Sequence, residues 1–161
     1  MAKFQFEGMQ EYLEKLNKIG VSADGSIKRA VYSGAGVVLK QVENAIQNLP
    51  TKEHKYVYSG QINAISPEQK QGLLDGLGAS KMQNDNGYIN TKIGFDGYNS
   101  VKSKKYPNGQ PNSLIARAIE SGTSMRPKTR FVANATKAAK GPAEKAMAEQ
   151  FDKDIKQIME G

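Results

Sequence analysis

A long apolar stripe between residues 24 and 49 places the strongest constraint on the fold. Apolar or small residues recur there at intervals of three and four, and Pro50 ends the pattern. The stripe consists of Ile27, Val31, Gly34, Val38, Val42, Ala45, Ile46 and Leu49. It predicts an amphipathic helix from Asp24 to Leu49, about 40 Å long, whose apolar face other elements must cover.

Two glycines, Gly34 and Gly36, lie inside this predicted helix. Each weakens a helix interior by roughly 1 kcal/mol relative to alanine. We therefore expect another backbone to pass close to the helix at these positions. A flexible hinge is the alternative explanation.

Amphipathic helices are also predicted near both ends of the chain. Residues Phe4 to Glu7 alternate as in a short strand, and Met9 to Ile19 follow a helical period. A second helical pattern runs from Phe131 to Ile158 and contains Gly141-Pro142. The proline either interrupts that helix or forms the first turn of a fresh one.

The middle of the chain carries the signals of a β-hairpin. Tyr88 to Phe95 alternates as in a half-buried strand, and the preceding Asn86-Gly87 is a favoured hairpin turn. Before the turn, Leu73 to Met82 is compatible with either a helix or a strand, because its glycines fit neither period. Ser66-Pro67 indicates a helix start or a turn.

A hairpin needs a cover to be stable, and the long helix is the expected one. We expect its stripe to pack on Ile89, Ile93 and Phe95. The fold class predicted is therefore α+β: a small antiparallel sheet packed on a long helix, with N-terminal and C-terminal amphipathic helices. The 161 residues are expected to form a single domain with long exposed loops at about 50–66 and 96–112.

Both predicted loops are polar. The first contains His54, the only histidine, which has no partner set for a metal and is expected to be a solvated loop residue. The second, Asp96 to Asn112, is rich in Gly, Asn, Ser, Pro and Lys. It is too long for an ordinary connection, so it is either functional or mobile.

A basic bend is predicted between two helices at Ser121 to Arg130. The preceding helix is indicated by Leu114, Ile115, Ala118 and Ile119, which share one helical face. Gly122 is suited to end that helix, and Pro127 disfavours helix at the residue before it. Arg126, Lys128 and Arg130 then lie in a loop expected to be exposed and to become ordered on contact with a partner.

This stretch also carries a resemblance to a known family. The motifs within the stretch are Ala116-Arg-Ala-Ile-Glu-Ser-Gly-Thr-Ser, then Pro127, then Arg130-Phe-Val-Ala-Asn-Ala. Earlier in the chain there are three more: Gly72-Leu-Leu-Asp-Gly-Leu-Gly, Ile93-Gly-Phe-Asp-Gly-Tyr-Asn and Gln110-Pro-Asn-Ser-Leu-Ile. In order and spacing they resemble the siphophage tail-completion and head–tail joining proteins, which are related to the lambda minor tail component Z. The resemblance extends from Phe4 to about the last helix. Where family members often have a proline before the equivalent of Phe131, this chain has Arg130, so the angle at which the last helix begins is open.

The resemblance implies a structural role. A member of this family would be a subunit of a tailed phage or prophage virion, joining or completing the tail at the head–tail interface, in a ring with neck and tail-tube proteins as partners. It also implies that Leu73 to Met82 is a strand. The residues expected to contact neighbours are Glu120, Gly122, Thr123, Arg126, Pro127, Lys128 and Arg130. The expected locations are the virion and, during assembly, the host cytoplasm.

The net charge of +7 favours acidic partners such as DNA or an acidic protein surface. Lys102, Lys104 and Lys105 are candidates for facing DNA in a channel, and Tyr98 and Tyr106 for stacking on bases. A solvated loop is the alternative. The sequence has no run long and apolar enough for a membrane span, and we expect neither a membrane nor a small-molecule substrate as a partner.

No motif points to catalysis. Ser121 and Ser124 have no base nearby, since His54 is in a different predicted loop. The chain has no cysteine, and its glycines follow neither the phosphate-loop nor the dinucleotide spacing. Asp96-Gly-Tyr-Asn lacks the regular acidic positions of a calcium loop. We therefore expect no enzyme activity, cofactor or metal.

Glu120 is the one carboxylate beside the bend that invites a chemical role. A general acid in a dyad needs a second carboxylate, and none lies near Glu120 in sequence. A structural role is the stronger expectation. Glu120 would either accept backbone N–H bonds from the loop or pair with Arg126 or Arg130.

Overall fold

The computed structural model describes residues 24–52 and 64–160. Its elements, in chain order, are α1 (Asp24–Gln47), α2 (Pro67–Gly76), β1 (Leu77–Ala79), β2 (Gln83–Asp85), β3 (Tyr88–Asn90), β4 (Ile93–Phe95), α3 (Asn112–Ser121) and α4 (Phe131–Glu160). The predicted α+β class is confirmed. The predicted strand at 4–7, the predicted helix at 9–19 and His54 lie outside the described residues.

The core forms where α1 packs antiparallel on α4. Arg29 Nε donates to Asp154 Oδ2 at 2.7 Å near the start of α1, and further along the Ser33 hydroxyl donates to the carbonyl of Ala146. The predicted stripe of α1 is buried, and small residues of α4 cover it. The buried residues of these two helices include Val31, Val38, Val42, Ile46, Ala139, Ala143, Met147 and Phe151.

Gly34 is a point of close approach between the two helices. A Cβ atom at this position would lie 2.5 Å from both Cγ and Sδ of Met147 and 3.4 Å from the carbonyl oxygen of Ala143. The expected close approach is thus confirmed at Gly34. Among the described residues it is wrong for Gly36, which is exposed and whose Cβ would meet none of them within 4 Å.

The predicted hairpin is divided into two ladders. β2 pairs antiparallel with β3 around the predicted Asn86-Gly87 turn, whose residues have φ of 54° and 88°. β1 pairs antiparallel with β4, with Leu77 opposite Phe95. The predicted continuous strand 88–95 is interrupted after Asn90, where side chains replace part of the ladder: Thr91 Oγ1 donates to the carbonyl of Ser80 at 2.8 Å.

The prediction of a strand from Leu73 to Met82 is wrong at its start. Residues 73–76 belong to α2, and the strand is only β1. The helix is fixed by a capping box: the Ser66 hydroxyl accepts the N–H of Gln69, and Gln69 Oε1 accepts the N–H of Ser66, both at 3.1 Å. Gly72 lies inside this helix, and the absence of a side chain there leaves room for Asn99 and Asn112 to pack against it.

The long loop between β4 and α3 is held at its two ends. The N–H of Asn99 donates to the carbonyl of Gln110 at 2.9 Å, and the N–H of Asn112 donates to the carbonyl of Gly97 at 3.0 Å. Buried Asn99 also accepts the N–H of Val101 through its side chain at 2.9 Å. The loop therefore leaves and rejoins the fold at one place.

The expected exposed loop at 50–66 is wrong at its far end. Ala64, Ile65 and Ser66 are buried, and Ile65 forms a parallel bridge with Thr51. These residues stay covered because Ile65 belongs to the apolar core and Ser66 caps α2. Residues 53–63 lie outside the described part of the chain.

The last helix does not break at Pro142, contrary to the predicted interruption. α4 is one helix of 30 residues with the proline inside it. Pro142 is exposed, whereas Ala139, Ala143 and Met147 are buried against α1. A proline inside a helix loses one hydrogen bond and crowds the carbonyl four residues before it, and burial of the opposite face of α4 against α1 offsets this cost.

Substitution at the two glycines of α1 should have opposite effects on stability. We expect Gly34→Leu to lower the free energy of unfolding by roughly 1–3 kcal/mol, because the new side chain overpacks against Met147. The matched control, Gly36→Leu, should raise it by roughly 0.5–1 kcal/mol through helix propensity alone. Urea unfolding followed by circular dichroism measures both. Equal effects of the two substitutions would contradict the helix contact.

Candidate interaction site

The basic bend, residues 121–130, is folded tightly onto itself. It begins at Gly122, the C-cap of α3, which has a φ of 75°. A Cβ at Gly122 would lie 2.7 Å from the backbone nitrogen of Lys128 and 2.9 Å from the carbonyl oxygen of Arg126. Both the positive φ and the crowding require glycine here, so the predicted helix end is confirmed and has a second cause.

The tip of the bend is a small hydrogen-bonded turn. The N–H of Thr123 donates to the carbonyl of Arg126 at 2.8 Å, and the N–H of Arg126 donates back to the carbonyl of Thr123 at 3.2 Å. The Thr123 hydroxyl also accepts the N–H of Met125 at 3.3 Å. These bonds satisfy the turn without any partner outside the chain.

The far end of the bend is tied back to α3 by Thr129. Its N–H and its hydroxyl both donate to the carbonyl of Ile119, at 3.0 Å and 2.9 Å. The N–H of Arg130 donates to the carbonyl of Glu120 at 3.2 Å. The last turn of α3 therefore supplies the acceptors that fix where α4 begins.

Glu120 completes this clamp with its side chain. Its two carboxylate oxygens accept the N–H groups of Val132 and Ala133, at 2.8 Å and 3.1 Å. These are unpaired donors in the first turn of α4, where a negative charge is also favoured by the helix dipole. Glu120 thus accepts backbone N–H bonds, as in one of the two predicted alternatives, but the donors belong to α4 and not to the loop.

Arg126 is more integrated into the fold than the sequence suggested. Its guanidinium Nη2 donates to the carbonyl of Ala64 at 2.8 Å. Partial burial lowers the pKa of the Arg126 guanidinium from its ordinary value. Its role is to fasten the bend to the segment that precedes α2, and Pro127 beside it is half-buried.

The exposed part of the bend carries one apolar and two cationic side chains. Met125 is 62% exposed, and Lys128 and Arg130 are exposed. Arg130 has a φ of 50°, which a proline ring cannot adopt. Proline, which the resembled family often has at this position, would not fit the backbone conformation of Arg130.

The second basic candidate set lies at the other end of α3. Lys102, Lys104 and Lys105 are exposed in the loop that leads into the helix, and Lys105 Nζ lies 5.5 Å from the centroid of the Tyr106 ring. The bend follows the last residue of the same helix, whose ten residues span about 15 Å. The structure does not merge the two sets into one patch.

The described residues offer little for metal or membrane chemistry. Within residues 24–52 and 64–160, no three His, Cys, Asp or Glu side chains cluster in a way that suits a metal ion. No helix in this part of the chain combines the length and apolarity needed to cross a bilayer. At the bend, both oxygens of the Glu120 carboxylate are already engaged by backbone donors.

The chain has no significant match among models of known families, curated protein sequences or solved structures. The bend is therefore a candidate site on geometric grounds. Sequence patterns identified the bend but missed two of its residues, Met125 and Thr129. Glycine, proline and basic residues indicated a loop in the sequence. The bonds from Thr129 to the carbonyl of Ile119 form only in the folded chain, where the end of the bend returns to α3.

Removing the Glu120 carboxylate should destabilise the protein by about 1–2 kcal/mol, since two helix N–H groups lose their acceptor. The variant is Glu120→Ala, measured by urea unfolding. Glu144→Ala is the matched control, because Glu144 is exposed on α4, and its effect should stay within about 0.5 kcal/mol. A loss at Glu120 no larger than at Glu144 would show that the cap does not contribute.

Proposed function

We propose that this chain is a structural subunit of a tailed phage or prophage virion. In this role it joins or completes the tail at the head–tail interface, as one member of a homo-oligomeric ring beside neck and tail-tube proteins. The observation that carries the proposal is the basic bend, which is clamped at both ends and yet exposes Met125, Lys128 and Arg130. The resemblance of its sequence to tail-completion proteins supports the same role.

A clamped, exposed bend is suited to binding another protein. Its backbone is already ordered by Thr129, Glu120 and the turn at Thr123, so little conformational entropy is lost on binding. Methionine adapts its shape to a partner surface, and arginine is enriched at interfaces. The bend therefore offers an apolar centre with cations beside it.

The same contacts argue for assembly rather than catalysis. Glu120 is the acidic side chain closest to the bend in sequence, and its oxygens serve the backbone of α4. Arg126, the most buried cation of the bend, is bonded to the carbonyl of Ala64. The exposed side chains that remain, Met125, Lys128 and Arg130, are suited to contact with another protein.

Charge reversal at the exposed cations tests this role. In a phage or prophage that encodes the chain, we expect Lys128→Glu/Arg130→Glu to reduce the yield of infectious particles by roughly tenfold or more, because reversing two charges at a contact opposes association. Electron microscopy should then show separate heads and tails, because the defect is in joining. Arg126 is left unchanged, since its guanidinium belongs to the fold.

The matched control is Lys137→Glu/Lys140→Glu. These two lysines are exposed on α4, and their replacement changes the net charge by the same amount. The control should join heads and tails normally, and both variants should show unfolding midpoints close to the unmodified protein. Normal particles from the bend variant would contradict the proposed role.

DNA binding is the second candidate, favoured by the loop at 96–112. Three exposed lysines, Lys102, Lys104 and Lys105, lie there with Tyr98, which is 68% exposed. Cations beside an exposed aromatic ring are the elements of single-strand and backbone recognition. In a neck ring, such a loop would face the DNA that passes through the channel.

This alternative predicts a steep salt dependence. Affinity for a DNA oligonucleotide, measured by fluorescence anisotropy, should fall with salt, and Lys102→Ala/Lys104→Ala/Lys105→Ala should reduce the log–log slope by about three. Lys137→Ala/Lys140→Ala/Lys145→Ala removes the same charge from exposed positions on α4 and serves as the control. An equal slope for both triple variants would leave only non-specific attraction by net charge.

A further inference from the structure

The open face of the β1–β4 ladder is a groove with a main-chain floor. Gly78 lies directly opposite Gly94 at the middle of the ladder. The neighbouring pair, Leu77 and Phe95, packs on the core. Successive strand residues face opposite sides, so the glycine pair faces away from the core. The resulting groove has a volume of about 660 Å³.

The fold itself does not explain these two glycines. A Cβ atom at Gly78 or Gly94 would meet no atom of residues 24–52 or 64–160 within 4 Å, and neither glycine has a positive φ. By contrast, a Cβ at Gly76 would clash with the carbonyl oxygen of Asp96. Glycine weakens a strand and often marks a place where another backbone or a ligand approaches closely. Gly78 and Gly94 therefore point to a partner outside the described residues.

The groove has an acidic end. Asp75 and Asp96 both line it and are exposed. Asp75 accepts the side-chain amide of Gln71 at 2.7 Å, and Asp96 accepts the N–H of Gly97 at 2.7 Å. Within the described residues, neither carboxylate forms an ion pair. Both are open to a cation from a partner.

We propose that this groove receives the basic bend of a second copy of the chain. Met125 of one copy lies on the Gly78–Gly94 floor of the next, and Lys128 and Arg130 approach Asp75 and Asp96. The signs of charge match at the acidic end, whereas Lys92 lines the groove elsewhere, and the bend supplies a 62% exposed apolar side chain for a floor that has none. This inference rests on the proposed self-assembly and names its two surfaces.

The positions of the two surfaces make the contact head-to-tail. Asn112, at the start of α3, lies beside the groove, since its side chain donates to the carbonyl of Asp96 at 2.9 Å. The bend follows the other end of the same helix, about 15 Å away. One copy therefore presents its bend and its groove in different places. Contacts between unlike surfaces repeat from copy to copy and form a ring when the rotation closes.

Engineered disulfides test this contact sharply, because the chain has no cysteine of its own. Lys92, just before β4, is exposed and lines the groove, and it lies two residues from Gly94, on the same face of the ladder. In the double variant Met125→Cys/Lys92→Cys, mild oxidation should produce a ladder of covalent multimers on a non-reducing gel. Each single variant gives at most a dimer. A disulfide needs Cα atoms about 6 Å apart, so the ladder reports a close and specific contact.

Filling the groove provides the matching loss of contact. Adding Gly94→Val to the double-cysteine variant should abolish the ladder, with a Tm no lower than that of the parent, because valine favours strands and its Cβ has space. A ladder that persists after the Gly94→Val substitution would overturn the proposed site.

The unmodified protein separates failure of the groove from failure of the proposed function. Sedimentation over a range of concentrations and a lysine-reactive cross-linker should both detect oligomers. Oligomers of the unmodified chain without a ladder from the double-cysteine variant would overturn the groove and leave ring assembly standing. A monomer at every concentration would overturn both.

Discussion

The close contact of α1 with α4 is the constraint on which the rest of the structure depends. Gly34 lets the two helices approach until Met147 and the carbonyl of Ala143 occupy the space of a side chain. Asp154, only 4% exposed, is held at one end of this contact by Arg29 and Gln150. With α4 fixed in this way, its first turn has a defined position, and α3 can reach it through Glu120.

The basic bend shows how backbone hydrogen bonds can hold a loop and leave its side chains exposed. The carbonyl of Ile119 and the carboxylate of Glu120 take up donors from Thr129 and the start of α4. Because those bonds satisfy the main chain, the side chains of Met125, Lys128 and Arg130 are not needed to hold the bend. Two basic residues of the same loop thus differ in role. Arg126 holds the bend against Ala64 through a hydrogen bond, whereas Lys128 is exposed to solvent.

Periodicity predicted the long elements well, because burial of an apolar stripe decides them. The α1 stripe, the Asn86-Gly87 turn and the helix end at Gly122 were all visible in the sequence. The errors fell where distant residues decide the outcome. From the sequence alone Gly72 indicates the end of a helix, but in the fold its small size allows Asn99 and Asn112 to pack against α2. Pro142 is tolerated because the opposite face of α4 is buried. The cations of the bend were evident from the sequence, but the bond from Arg126 to the carbonyl of Ala64 was not, because its partners are far apart in the chain. The pairing of Gly78 with Gly94 also depends on strand register and could not be predicted from local sequence.

The two helices that form the core lie far apart along the chain. Arg29 and Asp154, which meet at one end of the pair, are separated by 125 residues. During synthesis on the ribosome, α1 therefore emerges long before the surface that covers its apolar stripe. Contacts of such long range fold slowly, and the unshielded stripe is exposed to aggregation in the meantime. A chaperone that binds apolar helices would act in this interval, after Val38 has been synthesised and before Ala143 has.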